Sequence, residues 1–450
     1  MFVADNILCP DLLWPAGCLT LAMSKLVANS RLCRAAVEAE LDRYIMSKPF
    51  GSSRLVYVED LLQLDPLEQM AKQRTLGVKM LADVVESLIG ASYLDGGFPK
   101  ALACMSLFVP EGQWWHLEKC RQILFDKAPM DVPLPLTMQR AEELIGYTFK
   151  KKSLLVEAFT HASYNVPGVS ACYDRLEFLG DAVLAYITTT ALYKQPALTP
   201  FDMHSVRSAV VNAEVMAFLV MGWFIKEERV EAVDEDTDST PPRKRQKMKT
   251  TTVKHALWSF MRHASPELGI GQNRTQERYE ELRDSIDEAL QRGTHYPWVL
   301  LARLHPHKFY SDLLESVLAA VWTDSGDMDV CTQVVERAGI LPLMRRLIRD
   351  KVHWQNPKEE LAAWSGGQKA EYGVEAKVVG EGEEDEMVGW VVLGGRKLAE
   401  ARGRYREEVR LKAAALACLV LEKEKAEEIK RKKAEEAGLQ DAVDVDSGDD

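Results

Sequence analysis

Apolar residues recur at helical spacing through most of the first 350 positions of the chain. Runs such as Leu176, Leu179, Val183 and Phe309, Leu313, Ser316, Val317 set one apolar face against a polar one, the signature of packed helices. The pattern predicts a mostly helical block from residue 1 to about 120 and a second from Leu136 to Asp350. Between them, Ala128-Pro-Met-Asp-Val-Pro-Leu-Pro135 is a linker, because three prolines so close together deny helix and favour extended chain. The longest apolar stretch, Ala209 to Ile225, interrupted by Asn212 and Glu214, predicts a core helix. After His353 the period changes. Pro357 to Trp364 reads as a short helix, Tyr372 to Val379 and Met387 to Leu393 alternate as strands around a loop of glycines and acids (Gly380 to Glu386), and Arg406 to Lys423 is helical again. Glu424 to Asp450 continues as a charged helical extension that gives way to an acidic, frayed tail.

Charge patterning alters this picture at one place. Val230 to Thr252 carries an acidic run (Glu231, Asp234, Glu235, Asp236, Asp238) followed by Pro241-Pro242-Arg-Lys-Arg-Gln-Lys-Met-Lys249. So little apolar surface does not offset the entropy of ordering, so a disordered insert is expected at about 230–253. The formal charge of −12 argues against indiscriminate coating of nucleic acid, while leaving room for a local basic face. The eight cysteines are scattered without C-x-x-C or paired spacing, the usage of a reducing compartment. The start, Met1-Phe-Val-Ala-Asp5-Asn6, lacks the pattern of a signal peptide. An intracellular protein with no membrane partner is expected, in cytoplasm or nucleus, the basic half of the insert being similar to a nuclear-import signal.

Candidate chemistry lies in a repeat. Lys79-Met-Leu-Ala-Asp83-Val-Val-Glu86-Ser87 and Lys308-Phe-Tyr-Ser-Asp312-Leu-Leu-Glu315-Ser316 match in register, and the match runs on through Ala91, Asp95 and Gly97 against Ala320, Asp324 and Gly326. Upstream of the second copy, Asp174, Glu177 and Asp181 recur on one helix face. Glu177 and Asp181 facing Asp312 and Glu315 would bring four carboxylates to one spot, where they repel unless a cation sits between them. Hard oxygen ligands suit Mg²⁺ or Mn²⁺, and a metal pair about 3.5–4 Å apart can clamp both the attacking and the leaving oxygen of a phosphodiester. His161, His305 and His307 lack ligand spacing and are read as structural or exposed.

At these residues the chain resembles a known family. Tyr173-Asp-Arg-Leu-Glu-Phe-Leu-Gly-Asp-Ala-Val-Leu184, preceded by Leu144-Ile-Gly-Tyr-Thr-Phe149 and Phe159-Thr-His-Ala-Ser-Tyr164, is similar to the signature of ribonuclease III endonuclease domains. Two such domains in tandem before a small terminal module resemble the C-terminal part of fungal-type Dicer-like proteins. The resemblance implies a mainly α fold: tandem all-helical ribonuclease III domains, the first incomplete, then a small α+β module like a double-stranded-RNA-binding domain. It implies that Glu177, Asp181, Asp312 and Glu315 are the metal-binding catalytic acids for Mg²⁺ or Mn²⁺, that Lys308 neutralises developing charge, and that Asn212 supports the site from an adjacent helix. The substrate implied is double-stranded RNA, cut by phosphodiester hydrolysis in small-RNA production for RNA silencing or antiviral defence. Its domains would pair within the chain, or two chains through the second domain.

The first copy departs from the family. It has no counterpart of Tyr173 to Leu184, so the chain is expected to start inside a domain, an N-terminally truncated fragment, and Asp83 and Glu86 form a half-site at most. The expected organisation is a truncated first domain at 1–125, a linker at 126–136, a second domain at 137–350, the RNA-binding-like module at 354–423 and a charged tail at 424–450. Modules of this kind hold phosphates with a basic cluster opening their last helix. Here Arg406, Arg410 and Lys412 are available, but Glu407 inverts a charge. A nuclease is the leading expectation, and a catalytically impaired RNA-binding or dimerisation fragment is the alternative.

Overall fold

The computed structural model describes residues 16–45, 76–112, 114–130, 132–164, 172–236, 244–377 and 386–446. The opening Met1 to Ala4 and the loop residues Gly380 to Asp385 lie outside the described residues. In chain order the helices are α1 (Ala16–Leu26), α2 (Asn29–Glu38), α3 (Val78–Phe108), α4 (Leu117–Lys127), α5 (Ala141–Ile145), α6 (Lys152–Ala158), α7 (Asp174–Tyr193), α8 (Pro200–Val210) and α9 (Ala213–Gly222). A hairpin of β1 (Phe224–Asp236) and β2 (Lys244–Ala256) precedes α10 (Pro266–Arg292), α11 (Trp298–Leu304), α12 (Phe309–Ser325), α13 (Met328–Arg337) and α14 (Ile340–Arg349). The terminal module is α15 (Pro357–Trp364), β3 (Glu371–Lys377), β4 (Glu386–Leu393), β5 (Arg396–Gly403) and α16 (Arg406–Asp446). The mainly helical class and the small C-terminal sheet agree with the sequence.

The chain forms two compact units, 1–186 with 312–332, and 187–311 with 333–450. The division falls within the sequence of α7 and of α12. In the first unit, α2 and α3 bury Leu32, Ala35, Leu81, Ala82 and Val85 against one another. Helix α3 reaches α7 through aromatic rings: Tyr93 and Tyr186 share a hydroxyl hydrogen bond of 2.6 Å, and Phe98 stands 5.4 Å from Tyr186 between centroids. The start of the proline-rich stretch is tied down, since the buried Lys151 ammonium donates to Ala128 O at 2.7 Å and Ser153 Oγ donates to Pro129 O at 2.6 Å.

Helix α12 is apolar nearly all round, with Leu313, Leu314, Val317, Leu318 and Val321 fully buried, as a helix inside a core must be. Its buried polar groups therefore need partners within the protein. Ser316 Oγ donates to Ala158 O at 2.9 Å. Asp324, fully buried, accepts from Tyr147 Oη (2.7 Å), Lys150 N (2.8 Å) and Lys151 N (2.9 Å). Burial and the Asp324 carboxylate together push the Tyr147 phenol above its ordinary range. The repeated glycines have a common cause: Gly97 and Gly326 both take the left-handed backbone conformation that favours glycine, and Gly326 closes α12.

The second unit corrects four expectations. Ala209 to Ile225 is not one helix but the end of α8, the whole of α9 and the start of β1, with α8 and α9 bent by 47° from each other. The break falls where Asn212 caps the second helix: its Oδ1 accepts from Val215 N at 2.9 Å while Nδ2 donates to Ser208 O and Ala209 O. The insert at 230–253 is not disordered in its described part but belongs to the β1–β2 ribbon, whose register sets Glu231, Glu235 and Asp236 opposite Lys249, Arg245 and Lys244. Two charge blocks that each resist folding become complementary when paired antiparallel. The terminal sheet has a third strand, β5, joined to β4 through Gly394 and Gly395, both in the left-handed region that a two-residue hairpin demands. Helix α16 continues to Asp446, through most of the region expected to fray. Its apolar face packs Ala414, Ala417 and Cys418 on Leu361 and Val391.

Asp324 gives the fold its test. Replacement by Ala leaves Tyr147 Oη, Lys150 N and the buried Lys151 N without their acceptor and is expected to cost about 3 kcal/mol, read as a lowered urea midpoint at unchanged m-value. An unmoved midpoint would show that these donors find other partners.

Candidate metal centre

The signature helix α7 and the buried helix α12 meet at Gly180. A methyl group built on Gly180 would overlap the carbonyl group of Glu315, so the two backbones touch where only glycine fits. The contact sets the height of one helix against the other. Glu177, one turn before Gly180, is thereby brought to Asp312 and Glu315, and ligand atoms of these three residues lie within 4.8 Å of one another. Asp312 and Glu315 are buried, 5% and 8% exposed, whereas Glu177 is half-buried.

Three carboxylates this close repel, and a divalent cation offsets that repulsion best. The donors are hard oxygens, the set that suits Mg²⁺ or Mn²⁺ rather than a soft metal. Nearby, burial pushes the Tyr173 phenol well above its usual range, and the charges of Asp312, Asp174 and Glu177 add to the shift. The ring therefore stays neutral beside the acids and contributes no further negative charge. His161 packs against Tyr173 (ring centroids 5.6 Å apart) and bonds Ser163 through Nδ1, a structural role as expected.

The other expected site residues fall outside this group. Asp181 lies one turn beyond Glu177 on α7, exposed, and is not among the three carboxylates that converge. Asp83 is bonded by the Lys79 ammonium at 2.8 Å and is 47% exposed, and Glu86 is exposed. The first copy thus keeps the spacing but commits its acid to a surface ion pair, which raises the Lys79 pKa through the Asp83 hydrogen bond. Asn212 uses its amide to cap α9. Lys308, His305 and His307 line a cleft of the second unit.

Of the cations opening α16, Lys412 is engaged within the module. Lys412 donates to Glu408 Oε1 at 2.6 Å and to Arg402 O at 3.1 Å. Arg410 has its Nε buried without a hydrogen-bond partner, and Arg406 is exposed. The inverted charge, Glu407, is bound by Lys358 of α15 and so ties the two helices of the module together. Sequence reasoning missed two contributors to the metal centre. One is Gly180, whose signal was a glycine at the middle of a strongly helical run. The other is Arg175, whose Nη2 donates to the buried Glu157 of α6 at 2.6 Å and so anchors the first turn of α7.

The ribonuclease III domain family matches residues 1–97 and 174–326, regions that end on the two repeated glycines. Dicer-like protein 2 of Cryphonectria parasitica is 44% identical over 436 residues, 94% of this chain and 30% of that protein. Dicer-like protein 2 of Pyricularia oryzae is 39% identical over 425 residues (90% of this chain, 28% of that protein), and that of Neurospora crassa 37% over 452 residues (89% and 30%). The chain spans less than a third of the length of these relatives.

Gly180→Ala tests the crossing. The added methyl must push α7 off α12, which is expected to cost about 3 kcal/mol in thermal unfolding and to weaken Mn²⁺ binding, followed by electron paramagnetic resonance, about tenfold or more. Unchanged Mn²⁺ affinity would show that the crossing does not position the carboxylates.

Proposed function

The chain belongs to the ribonuclease III family, and on that premise we propose that it is a divalent-metal-dependent endoribonuclease that hydrolyses phosphodiester bonds of double-stranded RNA, producing small RNAs for RNA silencing or antiviral defence. The observation that carries this reading is the convergence of Glu177, Asp312 and Glu315 within 4.8 Å at a crossing that only glycine permits. The names of the related Dicer-like proteins support the RNA substrate.

Glu177, Asp312 and Glu315 would hold the ion, and in this reading the exposed Asp181 supplies a further carboxylate from the solvent side. When bound, Mg²⁺ or Mn²⁺ supplies charge neutralisation and activation of water for the hydrolysis. The protein's part is to hold the acids at fixed spacing on two locked helices, so that no reorganisation is needed when the phosphate arrives. Lys308, four residues before Asp312, is proposed to offset negative charge that develops on the phosphate. The Tyr93, Phe98 and Tyr186 contact supports pairing of the two ribonuclease III regions within the chain. Because Asp83 is paired with Lys79, each chain is proposed to cut one strand of a duplex, and two chains are needed to cut both.

A long RNA duplex in Mg²⁺ is expected to be nicked by the purified chain, with Glu177→Gln and Asp312→Asn each slower by roughly a hundredfold or more. Absence of metal-dependent cutting, or variants as fast as the parent, would remove the nuclease reading. Sedimentation alongside decides the stoichiometry, since double-strand breaks made by a strict monomer would contradict one cut per chain.

A further inference from the structure

The second unit holds an open cleft of about 900 Å³ between one face of α10, the loop from α11 to α12, and the turn between β5 and α16. Four cations line it: Arg274 and Arg278 one turn apart on α10, Lys308 on the loop and Arg404 from the terminal module. Against them stand Glu277 and Glu281, and Glu281 is already paired with Arg303 at 2.7 Å. In a chain of formal charge −12 this is a local reversal of sign. We propose that the cleft is a phosphate-backbone groove that receives a strand of the RNA, and that it takes over the contact expected of the basic residues opening α16. The proposal rests on RNA being the substrate.

The walls of the cleft are built in advance. Arg278 donates from Nε to Leu304 O at 2.8 Å and from Nη2 to His305 O at 2.9 Å, which holds its guanidinium in place. His305 adopts a left-handed backbone, a conformation costly for a non-glycine residue that persists only when its surroundings enforce it. Its ring stacks on Tyr405, centroids 4.3 Å apart, and the Arg278 guanidinium lies 5.5 Å from the same tyrosine ring. This stack joins the terminal module to α10 and the loop, so cations from both sides of the seam face one space. With Tyr405 engaged by His305 and Arg278, the cleft offers charge rather than a surface for stacking a base, which suits sequence-independent contact with phosphates.

Lys412 is bound to Glu408, and Glu407 is bound by Lys358. Arg278, held by two backbone carbonyls, loses less freedom on meeting phosphate than a mobile surface lysine would.

The test is binding of a fluorescein-labelled RNA duplex of about 30 base pairs to the full chain in EDTA over a series of KCl concentrations. Arg274→Gln and Arg404→Gln are each expected to weaken binding about three- to tenfold and to lower the slope of log K against log salt by about one, while Arg292→Gln, at the far end of α10, changes neither. Arg274 is exposed on its helix, so an unchanged melting temperature accompanies that variant. Slopes equal to the parent's in both cleft variants overturn the proposal, and if the parent still cuts duplex RNA in Mg²⁺ the nuclease reading survives that failure. Slopes that fall as expected in a chain without Mg²⁺-dependent cutting uphold the groove and remove the nuclease reading. A parent chain that binds no duplex overturns the groove outright. Polyglutamate that displaces the duplex far better than KCl of equal ionic strength, and less well from Arg274→Gln, would assign the cleft to an acidic peptide and overturn the RNA assignment.

Discussion

The contact between Gly180 and the backbone of Glu315 is the constraint on which the candidate site depends. Two helices that touch through backbone atoms cannot slide or rotate against each other without a clash, so the side chains one turn away are fixed with little freedom. Glu177 on one side and Asp312 and Glu315 on the other occupy those positions. Burying acids is costly, and the cost is tolerated at sites where a cation or a proton compensates for it. Around the crossing, the Arg175–Glu157 pair and the Ser316–Ala158 bond tie α7 and α12 separately to α6 or to the residue that ends it, so the acids stand on a braced frame.

The repeat shows how the same spacing acquires different meaning. Gly97 and Gly326 both hold a positive φ, Gly97 at a kink inside α3 and Gly326 just past the end of α12. The acids differ in environment. Asp312 is buried among converging carboxylates, and Asp83 sits at the surface in the grasp of Lys79. Asp324 is fully buried with three donors, and its counterpart Asp95 is bound by the exposed Lys100. A surface pair of this kind is worth a fraction of a kcal/mol to about 1 kcal/mol and needs no fixed partner, whereas a buried acid must be completed by specific groups. Copying a helix therefore copies the spacing of its acids but not their environment.

In the second unit, charge is the theme. The acidic and basic runs of the insert lie in opposite strands of one ribbon, and Lys412 near the opening of α16 is bound by Glu408 of its own helix. A cleft of the same unit is lined by Arg274, Arg278 and Arg404. That the inverted charge at Glu407 ties α15 to α16 explains its place in physical terms: the module gives up a cation at the helix opening and gains an internal clamp.

Much was legible in the linear pattern. The helical period, the proline linker, the short helix at Pro357 to Trp364 and the two strands that alternate in polarity are local properties, set by neighbours within a few residues, and so they can be read without knowing what packs against what. The family signature likewise marked Glu177, Asp312 and Glu315. The third strand was hidden because its alternation is weak and its existence depends on pairing with β4 across Gly394 and Gly395. The break at Asn212, the ribbon in the insert and the fate of Arg410 and Lys412 were hidden for the same reason, since each depends on partners brought near by folding. Sequence by itself determined which residues are able to do chemistry and at what spacing along each helix. Only the tertiary structure decided which of them meet, because convergence is set by where two backbones can approach, and here that place is a single glycine.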